Sequence, residues 1–354
     1  MNNSTCDTGF QPVRNSSAHS DTGVSPVPST SHGRDGHVTV TMALLIMILC
    51  FIHAANAKTI TVAADGSGDF KTVQAAVDSI TGSGPEHTVI HIRPGTYKER
   101  ILLAKGKPPI TFQGDDATTT ILTNDWNSHH VENGREVGTS GSYSTMINSD
   151  DFTAENVTFE NTAGDTGQAV ALMTNGDKHI FRNCRMLGWQ DTLYANGYRQ
   201  YYDHCYIAGR VDFIFGNSTA IFDHCEIHSR NGGHVTAAST AQTRPWGYVF
   251  LDCKLTGEGA QADLGRPWRP YASVAFVRCE IGEHIKPAGW SVWNGNENHK
   301  TARYYEYKNT GPGADRSKRL DWTHELTEEQ AKDLTVEKLL SGEDHWDPRA
   351  SKKD

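Results

Sequence analysis

Five cysteines, Cys184, Cys205, Cys225, Cys253 and Cys279, each occupy the fourth place of one recurring hexapeptide, aromatic-x-x-Cys-x-aliphatic. Nothing else in the 354 residues constrains the fold as strongly. The copies lie at 181–186, 202–207, 222–227, 250–255 and 276–281, and a degenerate sixth at 154–159 has Val157 in the cysteine place. Intervals between these places are 27, 21, 20, 28 and 26 residues. Apolar and polar residues alternate in each copy and β-prone types dominate, so each copy is read as a short strand. Strands at this interval, with no room for a long helix between them, predict an all-β parallel β-helix in which equivalent residues stack about 4.8 Å apart. A leucine-rich repeat has a similar period, but its Leu-x-x-Leu-x-Leu runs are absent. No cysteine forms a Cys-x-x-Cys pair, which argues against a zinc site.

A solenoid must cover its open ends. Phe70, Val73, Val77 and Ile80 fall at helical spacing and predict an N-terminal cap helix. After Trp322 the chain turns charged and helical, and this tail, residues 323–354, is expected to pack along the flank as part of one domain spanning 58–354. Upstream, residues 43–52 are uninterrupted apolar and lead into Ala54-Ala55-Asn56-Ala57. Ten apolar residues are too few to span a bilayer, and with a small-residue site behind them they read as a signal peptide over 42–57, cleaved after Ala57. Residues 1–41 are rich in Ser, Thr, Pro, Gly and Asn, read as a disordered leader, and point to a start at Met42. The expected product is a secreted or periplasmic monomer, free of the membrane once cleaved. A net charge of -9 argues against a nucleic-acid partner.

The repeat also serves as a ruler. Asp191 lies seven residues after Cys184, and Asp212 seven after Cys205. Equal offsets in successive coils stack the two carboxyl groups about 5 Å apart. Two carboxyls that close cannot both ionise easily, so one keeps its proton while the other serves as base or nucleophile. Aspartates in loops usually cap turns. Here Trp189, Leu193, Phe213, Ile214 and Phe215 surround them with apolar bulk that would desolvate the acids.

Several segments occur in an order that resembles the pectin methylesterase family. They are Val-Ala-Ala-Asp-Gly-Ser-Gly-Asp-Phe at 62–70, Gly-Thr-Tyr-Lys-Glu at 95–99, Gln-Ala-Val-Ala-Leu at 168–172 and Gly-Trp-Gln-Asp-Thr-Leu at 188–193. Asp-Phe-Ile-Phe-Gly at 212–216, Leu-Gly-Arg-Pro-Trp at 264–268, Ala-Gly-Trp at 288–290 and Tyr-Glu-Tyr at 305–307 complete the series. The likeness runs from about residue 60 to 322. It implies a right-handed parallel β-helix and a hydrolase that removes methyl groups from esterified galacturonan, the pectin backbone. On these positions it assigns Asp212 as nucleophile, Asp191 as general acid and then base, and Gln168 and Gln190 as oxyanion donors. Arg266 becomes the cation that keeps Asp212 charged and oriented.

For the sugar groove the resemblance and the aromatic character of the residues point to Trp268, Phe215, Tyr271, Trp290 and Thr145. No cofactor and no metal are expected, because acidic residues do not follow calcium-loop spacing and the 17 histidines form no His-x-x-x-His helix pair. Cys205 and Cys225, on adjacent coils, are expected to form a disulfide, with Cys184, Cys253 and Cys279 as buried thiols. Two other readings remain: an inactive carbohydrate-binding solenoid, and a related esterase acting on another ester.

Overall fold

A computed structural model describes residues 57–350. The predicted leader and signal peptide lie outside these residues, apart from Ala57. The coils stack into three sheets of parallel strands with eleven, eight and seven members among the described residues. Neighbours in each sheet come from successive coils, as in Phe181↔Tyr202 and Tyr202↔Phe222 of the eleven-stranded sheet. This is the expected parallel β-helix.

The hexapeptide is the point at which the structure corrects the sequence reading. It is a corner, not a single strand. The copy at 181–186 begins at the end of strand His179–Arg182, turns at Asn183 and Cys184, and enters strand Arg185–Leu187 of the next sheet. The residue before each cysteine takes the left-handed conformation: Asn183, His204, His224, Asp252 and Arg278 all have φ between 50° and 55°. In the degenerate copy Asn156 does the same, with φ 55°. One such residue redirects the chain from one sheet to the next. Its amide stays in the ladder: the N–H of His204 donates to Asp223 O at 3.0 Å and that of His224 to Leu251 O at 3.0 Å.

The repeated side chains then fill the interior in columns. Phe181, Tyr202, Phe222, Phe250 and Phe276 stack face to face with centroids 4.4–4.8 Å apart. The cysteines form a second column, and here the disulfide expectation fails. All five are free thiols. Each Sγ–H points at a carbonyl one coil back, that of the column's aromatic residue in four cases and of Ala154 for Cys184: Cys205 to Phe181 O at 3.4 Å, Cys225 to Tyr202 O at 3.4 Å, Cys253 to Phe222 O at 3.2 Å. Side chains on stacked coils run parallel, whereas a disulfide needs β-carbons drawn closer than the ladder spacing and a dihedral near 90°. Burial pushes the Cys184 thiol up to about 12, leaving it protonated and inert.

The cap helix forms as predicted. Helix α1, Val73–Ser79, is capped by the Thr72 side chain, while the Glu99 carboxylate accepts from the amides of Val73 and Gln74 at 2.8 and 2.9 Å. The tail supplies two short helices, Glu328–Ala331 and Val336–Leu340. Ala331, Leu334, Val336 and Leu340 cover the outer face of the eleven-stranded sheet at Ile180, Tyr201, Ile221 and Val249. The site lies elsewhere, on the outer face of the seven-stranded sheet.

Candidate active site

Strands Thr145–Ile147, Leu172–Thr174, Leu193–Ala195, Ile214–Gly216 and Gly233–Ala238 lie side by side in the seven-stranded sheet. Alternation sends one column inward and the next outward. Thr145, Leu172, Leu193 and Ile214 are level with one another. The last three belong to the interior core, and Thr145, with 0 % of its surface exposed, lies in their column. Thr145 is therefore not a groove residue. The neighbouring column carries Met146, Met173, Tyr194, Phe215 and Ala237, and these form a separate apolar floor outside the solenoid. On it Tyr194 and Phe215 stack at 4.1 Å, with Trp268 6.0 Å from Phe215.

Above this floor opens a cavity of about 500 Å³, lined by Gln168, Gln190, Asp191, Tyr194, Asp212 and Phe215, with Ala237, Arg266, Trp268, Trp293, Thr139 and Ser140 completing its walls. All five residues assigned to chemistry meet here. The register that pairs Leu193 with Ile214 also sets Asp191 level with Asp212 one coil on. Both aspartates take the left-handed conformation, φ 62° and 51°, and the Asp191 N–H donates to Val211 O at 3.0 Å. Gln168 and Gln190 pair across a parallel bridge on adjacent coils.

The two acids differ in their partners. The Arg266 guanidinium grips Asp212 in a bidentate pair, Nε to Oδ1 at 2.9 Å and Nη2 to Oδ2 at 2.7 Å. The other face of Arg266 rests on the Trp293 ring, 4.2 Å from its centroid. Among the described residues Asp191 has no such cation in contact. Burial, to which the charge on Asp212 adds, pushes its carboxyl well above the ordinary carboxylate range, with Arg266 partly opposing. Only 7 % of Asp191 and 5 % of Asp212 reach solvent. The guanidinium thus faces Asp212 directly and Asp191 only at longer range.

Two further groove assignments, Trp290 and Tyr271, need revision. Trp290 is 1 % exposed and points inward, where its indole N–H donates to Glu306 at 3.1 Å. Glu306 is in turn paired with Arg316 and Arg319, so the Ala-Gly-Trp and Tyr-Glu-Tyr segments belong to a buried network. The aromatic wall is Trp293, three residues further on. Tyr271 lies outside the cavity lining; its main chain anchors Thr301 and Arg303. Tyr194 joins the groove, and the repeat carries its signal: it lies three residues after Asp191 as Phe215 does after Asp212. Thr139 and Ser140 come from helix α2, Gly138–Gly141, in a loop no repeat describes.

A cluster of Asp223, His224 and Asp252 on the surface has the spacing of metal ligands. Asp252 is already engaged by Arg278 at 2.6 Å and His224 by Asp223 at 2.7 Å.

With this geometry in view, the comparisons with known proteins are informative. A family profile described as Pectinesterase matches residues 59–343. The chain is 42% identical over 288 residues to Pectinesterase 31 of Arabidopsis thaliana, a match covering 78% of this chain and 90% of that protein. Its fold resembles pectin methylesterase from carrot, with a TM-score of 0.77 and 35% identity, covering 81% of this chain and 94% of that one. PemA, a pectin methylesterase from Erwinia chrysanthemi, superposes with a TM-score of 0.70 at 28% identity, covering 83% of this chain and 98% of that one.

Proposed function

The chain belongs to the pectinesterase family and hydrolyses methyl esters of pectin, and from this premise we propose that Asp212 and Asp191 divide the chemistry between them. The observation that carries the reading is the asymmetry of the pair: Asp212 is clamped by Arg266, while Asp191 is buried beside it without a cation of its own among the described residues.

The substrate's galacturonate ring lies on the Tyr194, Phe215 and Trp268 floor with its methyl ester over Asp212. An Asp212 oxygen attacks the ester carbonyl and the carbonyl oxygen becomes an anion. Gln168 and Gln190 donate side-chain N–H groups to it. As the intermediate collapses, the bond to the methoxy oxygen breaks and Asp191 gives that oxygen its proton, releasing methanol. The galacturonate acyl group is left as an anhydride on Asp212. Asp191, now a carboxylate, takes a proton from water, whose oxygen attacks the anhydride. Free galacturonate departs, Asp212 regains its charge and Asp191 its proton.

Arg266 keeps Asp212 pointed at the ester through two hydrogen bonds, and Trp293 keeps Arg266 flat. The apolar floor keeps water from spreading under the substrate, which strengthens each of these interactions. The mature enzyme begins at Lys58 and works outside the cytoplasm, a reading supported by the apolar run at 43–52 and the small residues before Lys58. N-terminal sequencing of secreted protein checks it.

Methanol release from highly esterified pectin, measured beside hydrolysis of a chromogenic acyl ester, tests the whole reading. Pectin turnover that vanishes in Asp212→Asn with binding retained is the expected result. Preference for the acyl ester, or turnover surviving that substitution, overturns it.

A further inference from the structure

The two glutamines at the cavity are held differently. The side chain of Gln190 makes no hydrogen bond among the described residues. That of Gln168 is tied: the Ser128 hydroxyl donates to its Oε1 at 2.8 Å. Ser128 is buried, with 6 % of its surface exposed, and grips Gln168 a second time through the backbone, its N–H donating to Gln168 O at 2.8 Å. The same residue's carbonyl accepts from Gly138 N–H at 2.9 Å, at the start of helix α2, whose Thr139 and Ser140 wall the cavity. Next to it, the Asn127 side-chain amide donates to Thr166 Oγ1 at 3.0 Å, stapling the loop to the segment that leads into Gln168.

An amide has one acceptor end and one donor end. With Oε1 fixed on Ser128, the Nε2 end of Gln168 is turned away from Ser128, and it makes no hydrogen bond among the described residues. We propose that Ser128 is a positioning residue of the ester hydrolysis, setting the Gln168 amide with its N–H toward the oxyanion before substrate arrives. This rests on the oxyanion role given to Gln168 above. Two physical effects favour it. A donor already aimed needs no reorientation during the reaction. A hydrogen bond accepted at Oε1 also polarises the amide and makes its N–H a stronger donor. Gln190, without such an anchor, adapts to the substrate. The loop bearing Ser128 thus joins one cavity wall to one catalytic group.

A double-mutant cycle on pectin hydrolysis tests this. Ser128→Ala keeps the backbone grip and removes only the side-chain bond. The expected result is a kcat about tenfold lower, a fraction of the roughly hundredfold loss expected for Gln168→Ala, with KM within about twofold. In a Gln168→Ala background, Ser128→Ala is expected to cost nothing further. Ser128→Thr, which retains the hydroxyl, should keep kcat within about threefold of wild type. Should the alanine variant fold poorly, Ser128→Cys holds the volume with a weak donor and is expected to fall between serine and alanine. Unchanged kcat in Ser128→Ala, or the same loss in both backgrounds, would overturn the positioning role. If Gln168→Ala itself is unimpaired, the failure belongs to the oxyanion assignment instead.

Discussion

The solenoid turns two kinds of corner with the same left-handed backbone, and the two have opposite fates. At the cysteine corner, His204 and His224 occupy the left-handed position, their rings stack 5.3 Å apart, and both remain largely exposed to water. Further along, Arg278 and Asp252 pair across the same column. At the other corner the left-handed residues are Asp191 and Asp212, which line the cavity and are almost wholly buried. The backbone device is one; the solvent differs. A left-handed corner projects its side chain outward and stacks it on the next coil. Where that stack meets water it costs little; beside the apolar floor the acids are buried, and the carboxyl of Asp191 is pushed up by desolvation and by the charge on Asp212.

The comparison can be broken most forcefully at Asp212. Asp212→Asn is expected to lower methanol release by at least about 10³-fold, because the amide cannot attack the ester. The next effect separates the two acids by stability. Asp212→Asn leaves the Arg266 guanidinium without its countercharge, and thermal or urea unfolding should show a loss of up to about 3 kcal/mol.

Asp191→Asn should do the reverse. An acid whose carboxyl is raised in the folded state contributes stability that is complete below its unfolded value, about 3.9, and lost as pH climbs through the raised value. Wild type therefore loses up to about 1.4 kcal/mol per pH unit in that window, and the asparagine variant does not. Unfolding curves should coincide near pH 3 and show Asp191→Asn the more stable near pH 7, though inactive.

At the cysteine corner the expected effects shrink. Unfolding with and without a thiol reductant should coincide. A loss of the 2–4 kcal/mol typical of a disulfide would show that Cys205 and Cys225 are joined after all. Smallest of all, His224→Gly relieves a left-handed side chain at an exposed corner and should change stability by no more than about 1 kcal/mol in either direction.

How much of this was legible beforehand follows from the same contrast. The cysteine period revealed the coil, and equal offsets from it placed Asp191 opposite Asp212. What it did not reveal was the corner itself, although the signal was present. Asn, Asn, His, His and Asp precede five of the six repeat places, and these are the residues that tolerate positive φ most readily. Thr145 was misjudged by one residue, which in a strand means the opposite face: Met146 is the groove neighbour. Trp290 and Trp293 are three apart, and only packing against Glu306 tells the inner ring from the outer. The Gly-Thr-Tyr-Lys-Glu segment lies away from the chemistry; its Glu99 caps helix α1. Ser128 was invisible because a lone serine in a loop has no periodic partner, and its meaning lies in a contact 40 residues distant.

The central claim is that one acid of the stacked pair retains its proton at pH values where carboxyls ordinarily lose it. Aspartate labelled with ¹³C at the side-chain carboxyl, titrated by NMR with Asp191→Asn identifying the resonance, measures this without recourse to turnover. The Asp191 midpoint should lie well above about 3.9 and move down, while staying elevated, when Asp212→Asn removes the neighbouring charge and leaves burial in place. A midpoint at or below that value in the wild-type enzyme would contradict the division of roles between the two aspartates.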